Sequence, residues 1–345
     1  MAYPFNQGWR DGPCRSTPSG WERMPPSLSD YERARHLHDG LIATNRNRRV
    51  EDVFCGREVA SPAGTCYVIE SRSAVGLNGR DPDRAASAVL ADLTLVPGIG
   101  EATGRRLERQ GYRTVADLAR HPLYCRDAAR LLHAVEQGDT RGLAEWIGRR
   151  HRRSDPLILE LSRFHDAGDL LFLDIETLGL FARPVILIGL GRLEQGSLTV
   201  RQYLLRSVGE EAAALTALVP YLEADGAALV TFNGRAFDLP YIGERLTRHG
   251  IPADLALPHF DILYPARRRW RGTFGSCRLC ALETGVLGIE REDDIPSRVV
   301  PEFYESYRRT NNPGPLVPVV EHNRQDIVSL ARLFGLLRGD GDRGS

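Results

Sequence analysis

The stretch Leu170–Glu176, LLFLDIE, decides how this chain is read. Leucine and phenylalanine lead into an acidic pair, Asp174 and Glu176, spaced two apart. Residues i and i+2 of a strand point to the same face, so both carboxylates project together from the end of a strand greasy enough to be buried. Like charges held side by side repel, and the repulsion raises the pKa of one unless a cation lies between them. Hard divalent cations prefer oxygen ligands, so Mg²⁺ or Mn²⁺ is the natural counter-charge. A strand ending in two solvated acids shows the same short pattern. The weight therefore falls on the rest of the chain.

Toward the C-terminus, Arg183–Leu193 (RPVILIGLGRL) reads as a second strand and Leu198–Leu205 as a third. Short turns join them, which predicts antiparallel pairing. Glu210–Leu222 is an amphipathic helix, and Ala227–Phe232 is a fourth, buried strand ending in Asn233-Gly234. Phe237–His249 then starts a helix that tolerates Pro240 in its first turn. Three antiparallel strands, a helix and a further strand is the order of an RNase H-like fold, an α/β class with a mixed sheet flanked by helices. Two more acidic constellations follow. NGRAFDLPY (Asn233–Tyr241) puts Asp238 just past a strand end, with Phe237 and Pro240 seating the turn. EHNRQDIVSL (Glu321–Leu330) puts His322 and Asp326 four apart, on one face of a helix whose other side carries Val319, Ile327, Leu330 and Leu333.

Asp174-x-Glu176, then N-x-x-x-F-D-x-P-Y with Asp238, then His322-x-x-x-Asp326 resemble the three exonuclease motifs of the DEDD superfamily. The span from about Leu170 to Leu337 resembles more closely the YprB-like exonuclease family, and HFDILYPARRRW, SCRLCALETGVLGI and REDDIP fit that family too. The resemblance implies a 3′–5′ exonuclease using two divalent metal ions, Mg²⁺ or Mn²⁺. It implies Asp174, Glu176, Asp238 and Asp326 as metal ligands, Asp174 bridging both ions. It also implies His322 as the group that orients or deprotonates the attacking water. The last motif departs from the pattern. DEDD enzymes place tyrosine four residues before the final aspartate or histidine five before it; here histidine stands at the four-residue spacing.

Upstream, Leu93–Leu118 reads LTLVPGIGEATGRRLERQGYRTVADL. Pro97-Gly98-Ile99-Gly100 is a tight turn before a helix from Glu101 to Gln110 that Gly111 stops. Thr114 is expected to cap a third helix, and Leu131–Ile147 to continue as helix, followed by a linker at His151–Asp155. The stretch resembles the helix-hairpin-helix DNA-binding motif, whose hairpin and helix amides point at a phosphate. Gly98, Ile99, Gly100, Thr103, Arg105 and Arg106 are the expected backbone-binding positions. Asn233 and Phe237 are expected beside the terminal nucleotide, although Phe232 and Phe237 also suit a core. A packing turn between helices is the alternative for the hairpin.

The chain has 345 residues, which predicts more than one domain. We expect an arm over 1–50 that is poorly ordered apart from a short helix over Ser27–Leu37 with Ser29 or Asp30 as cap. A unit over 51–153 should combine a β-hairpin within Val53–Glu70 with the helix-hairpin-helix, and the RNase H-like domain should cover 165–340. No apolar run approaches a membrane span and no signal-peptide pattern is visible, so a cytoplasmic location is expected. The 6 cysteines are scattered and suggest no disulfide framework. Lys plus Arg and Asp plus Glu both total 45, so gross charge does not predict nucleic-acid binding. The local excess of arginine over acids between Glu101 and Arg153 does favour it. The basic residues are all arginine, which coding bias explains.

The expected partner is nucleic acid, DNA in preference to RNA, because the hairpin module is chiefly a DNA-backbone grip. A ribonuclease, a structure-selective endonuclease and an inactive binding scaffold stay open. Other readings are modest. Cys277-x-x-Cys280 is half a zinc site without a second pair and reads as packing. Arg267, Arg268, Arg269 and Arg271 could track a backbone or form a solvated face. Asp261 and Asp293-Asp294 read as loop caps.

Overall fold

The structure is a computed structural model that describes residues 28–179, 182–291 and 294–339. Its centre is a seven-stranded mixed sheet. The strands are β1 (Gly56–Ser61), β2 (Gly64–Ser73), β3 (Leu170–Thr177), β4 (Val185–Glu194), β5 (Ser197–Leu204), β6 (Ala228–Thr231) and β7 (His259–Asp261). Their spatial order is β1-β2-β5-β4-β3-β6-β7. β3, β4 and β5 form the expected antiparallel meander, and β6 returns parallel to β3. β7 adds in parallel beyond β6; it is three residues long, too short for its pattern to stand out in the sequence.

The alternation along β3 builds both faces of the core. Leu171, Leu173 and Ile175 pack with Ala213, Leu218 and Ile242 of the helices Glu211–Leu222 and Asp238–Arg248. Leu170 and Phe172 pack on the opposite face with Ile327, Leu330 and Phe334 of the long helix Leu316–Arg338. Asp174 and Glu176 continue that second parity, so they face the long helix.

The N-terminal hairpin does not stay with the helical unit. β2 pairs antiparallel with β5 from Tyr67 opposite Leu204 to Ser73 opposite Leu198, extending the main sheet. Cys66 to Ile69 are buried there, and an open sheet edge is satisfied by a neighbouring strand. The core of the helical unit is likewise continuous with the sheet: Ile99, Leu107, Leu131 and Leu143 belong to the same apolar cluster as Phe172 and Phe334.

Three local expectations change. The early helix runs Leu28–Thr44, past the expected end, and Ala34 is buried; residues 1–27 lie outside the described residues. Leu131–Ile147 is two helices, Cys125–Glu136 and Thr140–Gly148, because the chain turns at Gly138 and Asp139 caps the second through Gly142 N at 2.9 Å. Thr114 opens only the short 3₁₀ turn Asp117–Arg120, where Asp117 Oδ2 accepts from the amides of Arg113 and Thr114, both at 2.8 Å. The stretch after Cys277 is a single α-turn, Leu279–Leu282, running into a π-turn, Glu283–Leu287.

Candidate nuclease active site

Three elements deliver the candidate carboxylates to one place. β3 ends on Asp174 and Glu176, the helix Asp238–Arg248 begins on Asp238, and the long helix carries His322 and Asp326 on one face. Asp238 Oδ1 accepts from the amide of Ile175, between the two β3 acids, at 3.2 Å. His322 Nε2 lies 4.0 Å from Glu176 and 3.7 Å from Asp326. Glu176, Asp238 and His322 are each less than a tenth exposed.

The electrostatics show what this crowding costs. Burial first, then repulsion from Asp326, Asp238 and Glu176, pushes the Asp174 carboxyl well above the usual carboxylate range. Glu176 moves the same way, through burial and then Asp326 and Asp238. Asp238 is pushed up to about 7, chiefly by burial, with its backbone hydrogen bonds opposing. Asp326 is also raised by burial, although His322 and Arg291 pull it down. Buried acids that hold one another's protons are short of positive charge.

Partners the sequence reading passed over fix these groups. Asn323 Nδ2 donates to Asp174 Oδ2 at 2.8 Å, and its Oδ1 accepts from Gln202 Nε2 at 3.0 Å. Gly189 lies opposite Asp174 across the β3–β4 ladder, where a Cβ would sit 2.3 Å from Asn323 Oδ1. Only a glycine leaves room for that amide. Arg291 is gripped by Glu283 through Nε–Oε2 at 2.7 Å and Nη2–Oε1 at 2.6 Å, and it also donates to Asp326. Glu283 is 1% exposed, so this guanidinium is aimed from a fixed base. Asp294 Oδ1 lies 2.7 Å from His322 Nδ1, which turns Nε2 toward Ser297 Oγ at 3.1 Å. Burial lowers the His322 pKa, but the Asp294 hydrogen bond and the Asp326 and Asp294 charges outweigh it, so the imidazole sits above its ordinary value. Asp294 is thus a partner of His322 and not merely a loop cap; Asp293 lies outside the described residues. Asp261 is a structural cap as read: its carboxylate accepts from the amides of Asn233 (2.9 Å), Arg235 (3.2 Å) and Leu263 (3.1 Å).

His322 and Asp326 help line a cleft of about 850 Å³, with Phe232, Asn233, Arg267, Arg271, Arg278 and Arg291, while Asp174, Glu176 and Asp238 are not on its wall. Phe237 is not on this wall. It packs against Tyr241, ring centroids 5.4 Å apart, with the apolar cluster on the other sheet face. Cys277 and Cys280 are free and also line the cleft, so they do not pack in the core. In the hairpin, Gly98 adopts φ +85°, Gly98 and Gly100 are exposed, and so are Arg105 and Arg106, while Thr103 is half-buried. Ile99 is fully buried and its amide donates to Val96 O at 3.1 Å, so Ile99 anchors the turn and has no amide to offer a ligand.

Residues 171–338 match the RNase_H_2 family model, described as RNase H superfamily. The match agrees with the RNase H-like α/β fold of this segment. The uncharacterized protein YprB of Bacillus subtilis (strain 168) is 34% identical over 175 residues, 49% of this chain and 42% of that protein. The chain therefore spans under half the length of that relative. Similarity to this superfamily suggests a nuclease-type activity. No helix among the described residues is long and apolar enough to cross a membrane.

Nucleases of this superfamily generally use divalent metal ions. Among the described residues, no group of three or more His, Cys, Asp or Glu side chains is arranged to hold an ion as it stands. The donor set nevertheless fits hard cations: it is carboxylate oxygen throughout, buried, and short of positive charge apart from Arg291.

Proposed function

We propose that this chain is a metal-dependent 3′–5′ exonuclease that hydrolyses phosphodiester bonds of DNA. The observation carrying the reading is that acids from three separate motifs meet beside one histidine at the end of β3. Asp174, Glu176, Asp238 and Asp326 would hold Mg²⁺ or Mn²⁺. Bound there, the cations supply Lewis-acid neutralisation of charge on the phosphate. Asn323 fixes the Asp174 carboxylate through its amide. Arg291, braced by Glu283, presents a guanidinium where negative charge develops on a phosphate. His322 directs Nε2 into the cleft while Asp294 holds Nδ1, which suits orienting water or taking its proton. Its raised pKa keeps the imidazole protonated more than the sequence alone implies. Cation loading of the neighbouring acids would lower it again. The exposed turn at Gly98 and Gly100, with Arg105 and Arg106, supports backbone binding to DNA.

The test is hydrolysis of single-stranded and duplex DNA and RNA labelled at the 5′ end, with Mg²⁺ or Mn²⁺, beside Asp174→Asn. We expect a ladder shortening from the 3′ end and a loss of at least about 10³-fold in the variant, the scale of deleting one electrostatic catalytic group. Cuts inside the strand would replace the reading with an endonuclease, and cleavage confined to RNA would replace it with a ribonuclease. Retention of DNA without cleavage would leave a binding scaffold.

A further inference from the structure

A second concave surface adjoins the cleft. It is a cavity of about 340 Å³ between the helical unit and the sheet, lined by Arg141, Glu145, Arg153, Arg235, Asp261 and Tyr264 among others. Its two acids are engaged. Glu145 lies 3.7 Å from Arg141, and Asp261 is taken up by three backbone amides. Among the described residues no carboxylate lies within ion-pair distance of Arg153 or Arg235, although the Asp261 charge attracts Arg235 and Arg153 repels it. Arg153 sits over the Tyr264 ring at 5.9 Å, and the Arg235 guanidinium donates to the carbonyl of His259 at 2.7 Å. Two cations facing one hollow beside an aromatic ring make a poor packing arrangement and a good receptor for an anion.

One wall separates this hollow from the catalytic cleft: the loop from Phe232 to Arg235 and the start of the helix Leu263–Phe274. On that helix Tyr264, Arg267 and Arg271 stand at i, i+3 and i+7, so they share one face. Tyr264 lines the hollow, while Arg267 and Arg271 line the cleft, are exposed and have no carboxylate partner among the described residues. The intervening arginines point elsewhere. Arg268 donates to Ser154 O at 3.3 Å and Arg269 to Leu336 O at 3.1 Å. The basic run is therefore split by the helix into structural arginines and a line of unneutralised ones.

We infer that Arg153, Arg235, Arg267 and Arg271 form a continuous phosphate track that carries a single nucleic-acid strand from the hollow into the cleft. Tyr264 serves as a stacking surface along it. The helical unit is part of the track, since Arg153 follows the helix Thr140–Gly148. Trp146 of that helix donates to Leu95 O at 2.7 Å, beside the hairpin turn. The inference rests on the nuclease reading for the direction of the strand but not for its presence.

Anisotropy of fluorescent oligothymidylates, measured without divalent cation, tests it apart from catalysis. The strands would be about 15 and about 4 nucleotides long, spanning the usual range of single-strand site sizes. Arg153→Ala/Arg235→Ala should weaken the long strand about 10-fold and flatten its salt dependence by about 1.4, as two lost phosphate contacts on a single strand do. The short strand, seated in the cleft, should respond only to Arg267→Ala/Arg271→Ala. All four arginines are exposed, and unchanged melting temperatures would confirm intact folds. Equal losses for both lengths, or none for either, would overturn the track. Absence of cleavage by the unaltered protein in a parallel Mn²⁺ assay would instead count against the nuclease reading alone.

Discussion

Two clusters of buried acid lie within this one domain, and they are opposites. Glu211, 2% exposed, is surrounded by donors: Arg245 Nε at 2.7 Å and Nη2 at 2.5 Å, His249 Nε2 at 2.8 Å and the amide of Val185 at 2.9 Å. Burial pushes its pKa up, but those hydrogen bonds and the Arg245 charge outweigh burial and leave it below the ordinary range. Around Asp174 the donors are fewer, the neighbours are acids, and every carboxyl is pushed up. The same price of desolvation is met in one place by fixed cations and left open in the other. A buried carboxylate with all its partners is architecture. A buried carboxylate cluster lacking them is prepared for something that arrives later.

The largest effect should come from breaking the complete cluster. Arg245→Ala strands Glu211 in the core and should cost about 3–5 kcal/mol of stability, the usual penalty for an uncompensated buried charge. Urea unfolding measures it. Asp174→Asn should do the reverse, leaving stability unchanged or raised, because it removes a repelling charge. If both variants lost stability alike, the contrast between the clusters would be wrong.

A smaller effect is expected at the support of the incomplete cluster. Asn323→Ala removes the donor that orients Asp174, and Gly189→Ala drives a methyl into the space of the Asn323 amide. Each should lower Mn²⁺ affinity or turnover about 10–100-fold, the range for groups that orient ligands. Titration calorimetry reads the affinity. The double variant should be little worse than either single one, since both act through the same carboxylate.

The smallest effect is a matter of pH. A carboxyl raised in the folded state favours the protonated protein, so its contribution is present below the unfolded value and lost as pH rises through the folded one. For Asp238 that window runs from 3.8 up to about 7. Glu211 has the opposite sign: its contribution is present above the unfolded value and lost as pH falls. Without metal, stability should therefore fall between about pH 4 and 7, by at most about 1.4 kcal/mol per pH unit for each group. Asp238→Asn should flatten the slope, and so should added Mg²⁺ or Mn²⁺. Melting temperature against pH, with and without the cation, checks both. A slope unaffected by either change would remove Asp238 from the account.

Much of this was written in local pattern. The parity of Asp174 and Glu176 along β3, the four-residue step from His322 to Asp326 and the place of Asp238 at a helix start all follow from the periods of strand and helix. These periods are properties of a few neighbouring residues, so the meander, β6 and the two flanking helices were readable with them. The hairpin turn at Pro97–Gly100 and the stop at Gly111 were local in the same way. Contacts between distant residues were not readable. The pairing of β2 with β5, the room that Gly189 leaves for Asn323, and the brace from Glu283 to Arg291 to Asp326 join segments with no shared period. Nor could the sequence separate Arg267 and Arg271 from Arg268 and Arg269, because only the packed helix decides which arginines turn toward the cleft. Chain chemistry determined which acids this protein has and how they are spaced. Tertiary structure decided which of them lack matching positive charge, because the supply of charge in a buried site comes from whatever the fold brings beside it.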